Sequence, residues 1–583
     1  MRRSSVTLAC ALVCLLAGGL APVASSASTA TRSTTTRSTA KTTGTTSESP
    51  IPVPASDTPP AGRRLSANRV LAIAAKLPKM RAVQREYRGS YGGAYLKGAF
   101  RWQVSYFSRG GKKEIGQVTI DDATGRVIEQ WTGFQVPWTM ARGYPGAFGR
   151  HVNALYIWLP LCVLFFVPFF DFRRPFSLLH LDLLVLLSFS VSLAFFNNAH
   201  IYASVPLAYP PLLYLLARML ALLRRERPGR ARPLRLLVPT SWLAIGVIFL
   251  LGFRIGLNVT DSNVIDVGYA GVIGAQRIVH DKPLYGGWPT ENEHGDTYGP
   301  FNYEAYIPFQ QIFGWSGKWD DLPAAHAAAI VFDLLAVALL FLLGRRMRGP
   351  TLGVVLAYAW VSYPFTLFAL ESNANDTLVA VIVLAALLAA SYRSRLAPTA
   401  RGAMAALAGL TKFAPLALVP ILATDGLRQT GARQRPRAFA LFGLAFLGVA
   451  AIASIPALRH DTLHTIYERT IEYQANRGSP FSVWGLYGLH GWEQAVELMA
   501  VALALLLAVV PRRADLVGLA AACGAVIVAL QLGIEHWFYL YIPWFFPLAL
   551  LALLGRFSSG TAQEPDAASA PARSSLPAVA ASS

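Results

Sequence analysis

The stretch DSNVIDVGYAGVIGAQRIVHDKPLYGGWPTENEHGDTYGPFNYEAY, residues 261–306, belongs to a polar, acid-rich loop that spans residues 255–322. Apolar segments flank this loop on both sides, and each approaches the length of about 20 residues that crosses a bilayer. Charged, irregular backbone stays outside the lipid or lines a water-filled cavity. The sequence therefore predicts that the aqueous chemistry of this chain takes place in this loop.

The composition indicates an integral membrane protein. Hydrophobic residues make up 54% and charged residues 14% of the 583 residues, whereas soluble domains carry about 25% charge. The formal charge is +20, but the arginines occur in short clusters between apolar runs. Such clusters are typical of membrane topology. We therefore expect membrane lipids as partners and no nucleic acid.

The N-terminus has the layout of an export signal. Residues 1–30 contain Arg2 and Arg3, an apolar run and then small residues, which predicts a signal peptide. An uncleaved signal anchor is the alternative interpretation. Residues 31–62 are rich in Ser, Thr and Pro and have little to bury, so a disordered tether is expected there.

Residues 63–135 have the composition of a small soluble domain. Helical spacing in SANRVLAIAAKL precedes two strand-like runs, FRWQVSYF and EIGQVTIDD, and a turn leads into RVIEQW. This order predicts an extracytoplasmic α+β domain. It resembles a PepSY-like domain, for which we expect a structural or regulatory role and no activity.

The apolar segments predict a mainly α, polytopic helical membrane domain over residues 150–556, followed by a disordered cytoplasmic tail at 557–583. Two short segments, 400–411 and 413–425, are expected to form a half-depth hairpin that breaks near Lys412. With these two the count is about 13 helical segments. The others lie near residues 152–170, 177–196, 202–222, 236–254, 323–343, 350–369, 375–391, 437–456, 493–510, 515–534 and 537–554.

Positive charge predicts the orientation of these segments. Arginine clusters fall on alternate sides of the segment count, and those sides are expected to be cytoplasmic. The loop 255–322 then lies outside, on the side to which a signal peptide delivers the N-terminus. We expect a multi-pass protein of the cell membrane with its N-terminal domain and active site outside and its C-terminus inside. The clusters are Arg173–Arg174, Arg224–Arg235, Arg345–Arg348, Arg393–Arg395, Arg428–Arg437 and Arg512–Arg513.

Five motifs occur in order with apolar helices between them. They are DVGYAGVIGAQRIVHDKPLYG (266–286), TYGPFNYEAYIPF (297–309), ESNAND (371–376), LTKFAPLALVP (410–420) and HWFYLYIPW (536–544). Over residues 235–555 this arrangement resembles the GT-C superfamily of glycosyltransferases, in particular family 87 (DUF2029-like) and family 39-like enzymes. The resemblance implies a GT-C-like fold and transfer, with inversion, of a hexose such as mannose from a polyprenyl-phosphate donor. The expected acceptor is a glycan, a lipid or a protein.

The resemblance also implies a catalytic carboxylate. Such a transfer needs a base for the acceptor hydroxyl and positive charge for the departing phosphate. Asp266 matches the acid that follows the helix before the first large outer loop, and it is the expected general base. Its apolar neighbours favour a raised pKa. Asp261 is the alternative base, and helix capping or a loop role is the structural alternative for either acid.

Several further residues are expected to bind the phosphate or sugar of the donor. Lys412 can instead reach the membrane interface, and His536 can instead anchor an aromatic belt. Each of the others can also be an ordinary solvated loop residue. The complete set is Lys412, His536, Arg477, Arg469, Asn373, Asn375, Tyr269 and Tyr285.

Other functions were weighed against this one. The chain contains no HExxH, GxGxxG or P-loop motif, so we expect no metal and no cofactor. A membrane transporter or lipid flippase for a glycolipid or cell-envelope precursor is the alternative function. Its support would be acids in the middle of helices, and Asp182 and Asp333 are the two plain cases.

Overall fold

The structure is a computed structural model. It describes residues 50–143, 148–224, 233–319, 322–392, 394–427, 431–489, 491–510 and 513–557. The expected signal peptide, most of the expected tether and nearly all of the expected C-terminal tail lie outside the described residues.

The first described unit is a five-stranded antiparallel sheet in the order β1-β2-β3-β4-β5. Two helices pack on it and bury a core that includes Trp102, Val104 and Val118. Ser66 caps the first helix by accepting a hydrogen bond from the Arg69 amide, which satisfies one of the free amides at a helix start. The strands are β1 Ile51–Val53, β2 Tyr91–Lys97, β3 Arg101–Phe107, β4 Glu114–Asp121 and β5 Val127–Thr132, and the helices are α1 Ala67–Ala75 and α2 Pro78–Glu86.

This sheet is larger than the sequence predicts. The structure adds β2, whose YGGAYLK sequence has two glycines and lacks a clear alternation, and β1, which pairs with β2 from Ile51 to Val53. The expectation of a tether without structure up to residue 62 is therefore wrong for β1. A three-residue strand gains its stability from its neighbour and not from a local pattern, so the sequence alone gives no signal for it.

The rest of the described chain is helical, and each of the predicted apolar segments coincides with a helix. The helices are α3 Leu155–Phe166, α4 Leu178–Asn197, α5 Ile201–Leu207, α6 Tyr209–Leu222, α7 Thr240–Asp261, α8 Asp266–Val279, α9 Pro300–Glu304, α10 Ile307–Phe313, α11 Pro323–Arg348, α12 Pro350–Ser362, α13 Pro364–Glu371, α14 Asp376–Ala390, α15 Ala397–Thr411, α16 Val419–Thr424, α17 Arg435–Leu458, α18 Leu463–Tyr467, α19 Tyr473–Asn476, α20 Val483–Leu486, α21 Trp492–Val509, α22 Leu516–Gly533 and α23 Ile542–Leu554.

Within the described ranges, seven helices are long and apolar enough to cross a membrane, or eight if the bent pair α12 and α13 is one span. Four shorter apolar helices accompany them. The protein is thus a mainly helical, multi-pass membrane protein with a small N-terminal sheet, as predicted. Helix α7 continues to Asp261, so the loop predicted at residues 255–322 begins at residue 262.

Two buried acids of the helical domain, Asp333 and Asp182, are ion-paired. Arg254 lies 2.6 Å from Asp333, and the Trp360 indole N–H donates to the same carboxylate at 2.8 Å. Asp182 pairs with Arg218 at 2.8 Å. A buried charge is costly without a partner, so these pairs fix helices against one another. Both acids that would have supported a transporter are therefore part of ion pairs.

Candidate active site

Asp266 is the first residue of helix α8, only a few residues beyond the end of α7. The N-terminus of a helix stabilises a carboxylate through its free amides and dipole. The Asp266 side chain is exposed, whereas Gly268 and Tyr269, one turn later, are buried. The helix is therefore anchored by one face and presents the carboxylate to solvent.

The ESNAND turn fixes the chain just before this helix. The Asn263 amide donates to the Glu371 carbonyl at 3.1 Å, and the Ile265 amide donates to the Ser372 carbonyl at 3.2 Å. The Asn373 side chain, which is fully buried, donates to Ser262 Oγ and to the Asn263 carbonyl, each at 3.0 Å. The Asn373 amide is thus occupied in holding the approach to Asp266 and does not lie free for a ligand.

Gly268 is required by this contact. A Cβ at Gly268 would lie 2.3 Å from the Asn373 carbonyl oxygen, which is far closer than packed atoms approach. The helix and the turn can meet only because the glycine has no side chain. This close approach sets the position of Asp266, two residues earlier.

The charge environment of Asp266 combines desolvation with nearby cations. Desolvation by the surrounding protein raises the pKa of the carboxyl above its ordinary value, while Arg477 and then Lys412 act to lower it. Asp266 forms no ion pair with any residue that the structure describes. An exposed carboxyl that is also desolvated is typical of the wall of a cleft.

Lys412 is buried and lies between helix α15 and the 3-10 turn Ala414–Leu418. Its Nζ lies 2.6 Å from Asp376 Oδ1, and the Trp544 indole N–H donates to the same oxygen at 2.8 Å. The rings of Trp544, Tyr298 and Tyr541 surround the ammonium with centroids at 5.1, 5.4 and 5.4 Å. The helix ends just before Lys412, as predicted, and the Lys412 side chain is buried against Asp376.

Arg477 is placed differently from Lys412. Its guanidinium lies over the Trp138 ring at 5.5 Å, which is within the range of a cation–π contact. It makes no hydrogen bond or ion pair with any described residue. Because Arg477 also lowers the pKa of Asp266, an unpaired cation lies within electrostatic reach of the candidate base.

His536 completes this side of the site. Its ring lies 5.6 Å from Trp138, and its Nδ1 is 2.9 Å from Ser479 Oγ. Burial and the cations Arg477 and Lys412 hold the pKa of His536 well below its ordinary value. The imidazole is therefore neutral, and it can exchange hydrogen bonds with a ligand but supplies no charge.

Other residues selected from the sequence have structural partners. Arg469 forms two hydrogen bonds to the buried Asp296 carboxylate, at 2.7 and 3.0 Å. The Tyr285 hydroxyl donates to the Tyr298 carbonyl at 2.9 Å. These contacts hold the loop 262–322 together, and they occupy the side chains of Arg469 and Tyr285.

Two more of the selected residues lie near the loop core. Tyr269 is fully buried, and its hydroxyl donates to Glu291 at 3.3 Å. Asp261 forms an ion pair with His151. The structure thus gives the alternative base a partner, whereas it leaves Asp266 without one among the described residues.

A group of buried polar atoms lies next to Lys412. Asn375 donates to Asn302 Oδ1 at 2.5 Å. Four buried atoms nearby have no hydrogen-bond partner among the described residues, and they are Asn302 Nδ2, Tyr306 OH, Asn375 Oδ1 and Asp376 Oδ2. Buried polar atoms are nearly always hydrogen-bonded, so this group is suited to hold water molecules or the hydroxyl groups of a ligand.

The site includes residues that the sequence did not single out as binding residues. Asp376 and Trp544 fix Lys412, and Trp138 contacts both Arg477 and His536. Asp376 follows Asn375 directly, so the ESNAND motif was a usable signal. Trp138 lies in the segment after the sheet domain, where no pattern indicates a role. The described residues contain no group of three or more His, Cys, Asp or Glu side chains that could hold a metal ion.

A family profile and one solved structure are similar to parts of this chain. Residues 297–533 match the sequence profile of Glycosyltransferase family 87. None of the curated proteins matches the chain. Among solved structures, that of ArnT from Cupriavidus metallidurans bound to undecaprenyl phosphate is similar, with 18% identity and a TM-score of 0.38; the match covers 55% of this chain and 60% of that one. Residues 297–533 thus support the resemblance to family 87, and the chain is a multi-pass membrane protein.

Proposed function

We propose that the protein transfers a hexose, with mannose as one candidate, from a polyprenyl-phosphate carrier to an acceptor hydroxyl on the outer side of the membrane. One observation carries this proposal most directly. The Asp266 carboxyl is exposed and lacks an ion pair among the described residues, and Arg477 and Lys412 both act on it electrostatically. A base next to cations is the arrangement that such a transfer requires.

In the proposed reaction the acceptor oxygen attacks the anomeric carbon from the face opposite the phosphate. The acceptor proton passes to the Asp266 carboxylate as the new C–O bond forms. The bond between the anomeric carbon and the phosphate oxygen breaks, and its electron pair leaves with the lipid phosphate. Attack from the opposite face inverts the configuration of the sugar.

Arg477 and Lys412 are assigned to the departing phosphate. Arg477 has no anionic partner among the described residues, so its charge is available to an oxyanion. Lys412 has three donor hydrogens and uses one for Asp376. The aromatic rings around Lys412 exclude water, which strengthens its interaction with an anion.

The neutral groups are assigned to the sugar. His536 uses Nδ1 for Ser479, which leaves Nε2 to face a ligand hydroxyl. Asn375 and Asn302 contribute the unpartnered amide atoms beside Lys412. Groups that hydrogen-bond hydroxyls discriminate among sugars because an unmatched buried polar atom is costly.

The alternative of a transporter or flippase has less support. It relied on Asp182 and Asp333, and each of these acids is paired with an arginine. An ion-paired acid in a helix bundle serves packing unless the pair opens during transport.

The function can be tested with purified protein in lipid nanodiscs and a panel of radiolabelled polyprenyl-phosphate sugars. We expect one sugar of the panel to be transferred to an added glycan, lipid or peptide acceptor, with free polyprenyl phosphate as the second product. Product stereochemistry, read by NMR, should be inverted. Movement of intact donor lipid across the bilayer of sealed proteoliposomes, without cleavage, would instead identify a flippase.

A further inference from the structure

The segment that joins the sheet domain to the membrane domain packs beside the candidate active site. This segment, residues 133–143, is called the connector here, and it contains the 3-10 turns Gly133–Gln135 and Thr139–Arg142. Its Trp138 ring lies 5.3 Å from Phe481 and 5.6 Å from His536. Its Phe134 ring lies 5.8 Å from Tyr202. The connector is therefore part of the wall around the site.

A cleft of about 250 Å³ lies between the connector and residues 478–486. Its size is close to the lower end of small-molecule sites, which begin at about 300 Å³. The lining combines two aromatic rings, a hydroxyl and a carboxylate. The lining residues are Phe134, Trp138, Gly478, Ser479, Pro480, Gly485, Leu486 and Glu535.

The segment 478–486 owes its shape to short contacts. The Ser479 amide donates to Glu535 Oε1 at 3.2 Å. A Cβ at Gly485 would lie 1.8 Å from the Ser479 carbonyl oxygen, so only glycine allows the chain to fold back there. Glu535 and Gly485 thus hold this side of the cleft in place.

The charge of the lining distinguishes this cleft from a phosphate site. Among the described residues, the lining contains the acid Glu535 and no lysine, arginine or histidine, so the lining itself offers no cation to an anionic ligand. Aromatic rings pack against the C–H faces of a sugar ring, while hydroxyl and carboxylate groups bind its hydroxyls. The lining is therefore suited to a neutral, polyhydroxylated ligand.

The cleft also borders the proposed chemistry. Trp138 lines the cleft. The Arg477 guanidinium lies 5.5 Å from the centroid of the same Trp138 ring. Arg477 in turn acts on the Asp266 carboxyl. A sugar in the cleft would thus lie next to Arg477, which acts on the candidate base.

We propose that this cleft binds the acceptor, and that the acceptor is a neutral sugar residue of a glycan or glycolipid. The proposal rests on the proposed transferase function and adds the acceptor class to it. It also assigns Phe134 and Trp138 to acceptor binding. Both lie outside residues 297–533, which match the family 87 profile.

The connector is held in register with the sheet domain by Arg142. Its side chain is buried and donates to the carbonyls of Gln135 and Val136 at 2.8 and 2.7 Å. It also donates to Gln117 of strand β4. The sheet domain thereby positions one wall of the acceptor cleft.

Gly478→Val tests the proposal by filling the cleft. A Cβ at Gly478 would meet only Glu535 Oε1, at 3.9 Å, so the new side chain enters open space. We expect the acceptor KM to rise about tenfold or more, while binding of the polyprenyl-phosphate donor and its slow cleavage by water persist. Gly431→Val is the matched control, because Gly431 has no atom within 4 Å of its Cβ position and lies far along the chain in a loop.

A second measurement is independent of transfer. Saturation-transfer NMR with a panel of methyl glycosides should detect binding to the wild type and to Gly431→Val, and a much weaker signal with Gly478→Val. If this pattern is found and no sugar is transferred from any donor, the cleft is a sugar site and the proposed function fails alone. Wild-type binding in Gly478→Val, or no glycoside binding by the wild type, would overturn the acceptor proposal.

Discussion

Lys412 Nζ lies 2.6 Å from Asp376 Oδ1. Both side chains are buried, and 36 residues separate them in the chain. The pair joins the end of helix α15 to the start of helix α14. A buried pair of this kind has a structural role, and a role in binding must be separated from it by experiment.

Lys412→Met should lower stability by about 3–5 kcal/mol, because it leaves the Asp376 carboxylate buried without its partner. Turnover should fall as well. The double variant Lys412→Met with Asp376→Asn removes both charges and should recover most of the thermal stability, measured as the melting temperature in detergent. If Lys412 binds the donor phosphate, the double variant stays inactive. Wild-type turnover in the stable double variant would limit Lys412 to a structural role.

Asp266→Asn should lower turnover by a factor on the order of 100 or more, because the amide is nearly isosteric but accepts no proton. Donor-lipid binding and membrane insertion should persist. Asp261→Asn is the matched control: its partner is His151, so it should cost stability and little of the chemical rate. The measurement is single-turnover transfer from the labelled donor. If Asp261→Asn were the inactive variant, the residue assignment would be reversed.

Arg469 and Arg477 show that the sequence does not separate a structural arginine from one that is available to a ligand. Both lie between helices α17 and α21, and the sequence predicts that both bind the donor. Arg469 is occupied by Asp296, 173 residues earlier in the chain, whereas Arg477 lies over Trp138. Partners so distant in sequence leave no local pattern, so residue type and spacing alone cannot separate a structural cation from an available one.

The membrane helices, by contrast, were predictable. The bilayer determines both the apolar length of a span and the side on which arginines cluster, and it is the same for every span. Asp266 could be proposed because the family resemblance implies an acid in the loop that follows this helix. The role of Asn373 could not be predicted. A buried amide that holds a backbone and an amide that binds a sugar look alike in sequence.

Arg477→Gln should shift the pH dependence of the reaction. The active form of Asp266 is the carboxylate, so kcat/KM falls as pH falls through the pKa of this group. Arg477 acts to lower that pKa. Its removal should therefore move the acid limb of the kcat/KM profile to higher pH, besides weakening donor binding. Arg469→Gln is the control, because its cation is held by Asp296. An acid limb that stays at the same pH in Arg477→Gln would separate Arg477 from the base.

Labelling of single cysteines should establish the orientation. In a background without native cysteines, Lys112→Cys in the sheet domain and Thr290→Cys in the outer loop should react with an impermeant maleimide on intact cells. Gly431→Cys, in the arginine-rich loop before helix α17, should react only after the cells are opened. All three positions are exposed on the surface of the structure. Labelling of Gly431→Cys in intact cells would reverse the predicted topology.

The sheet domain and the connector should differ in importance. Deleting residues 50–132, with the preceding residues joined to the connector, removes Gln117 but keeps the contacts of Trp138 with Phe481, His536 and Arg477. Transfer should persist with a higher acceptor KM, since Arg142 loses only its bond to the sheet. Trp138→Ala in the full chain should reduce kcat/KM about tenfold or more, because it removes the ring that holds Arg477 beside the cleft. Trp242→Ala, which removes an exposed tryptophan of helix α7, is the matched control and should retain most activity. If the deletion abolished transfer in an inserted, donor-binding protein, the sheet would be part of the catalytic unit and not a support for one wall of it.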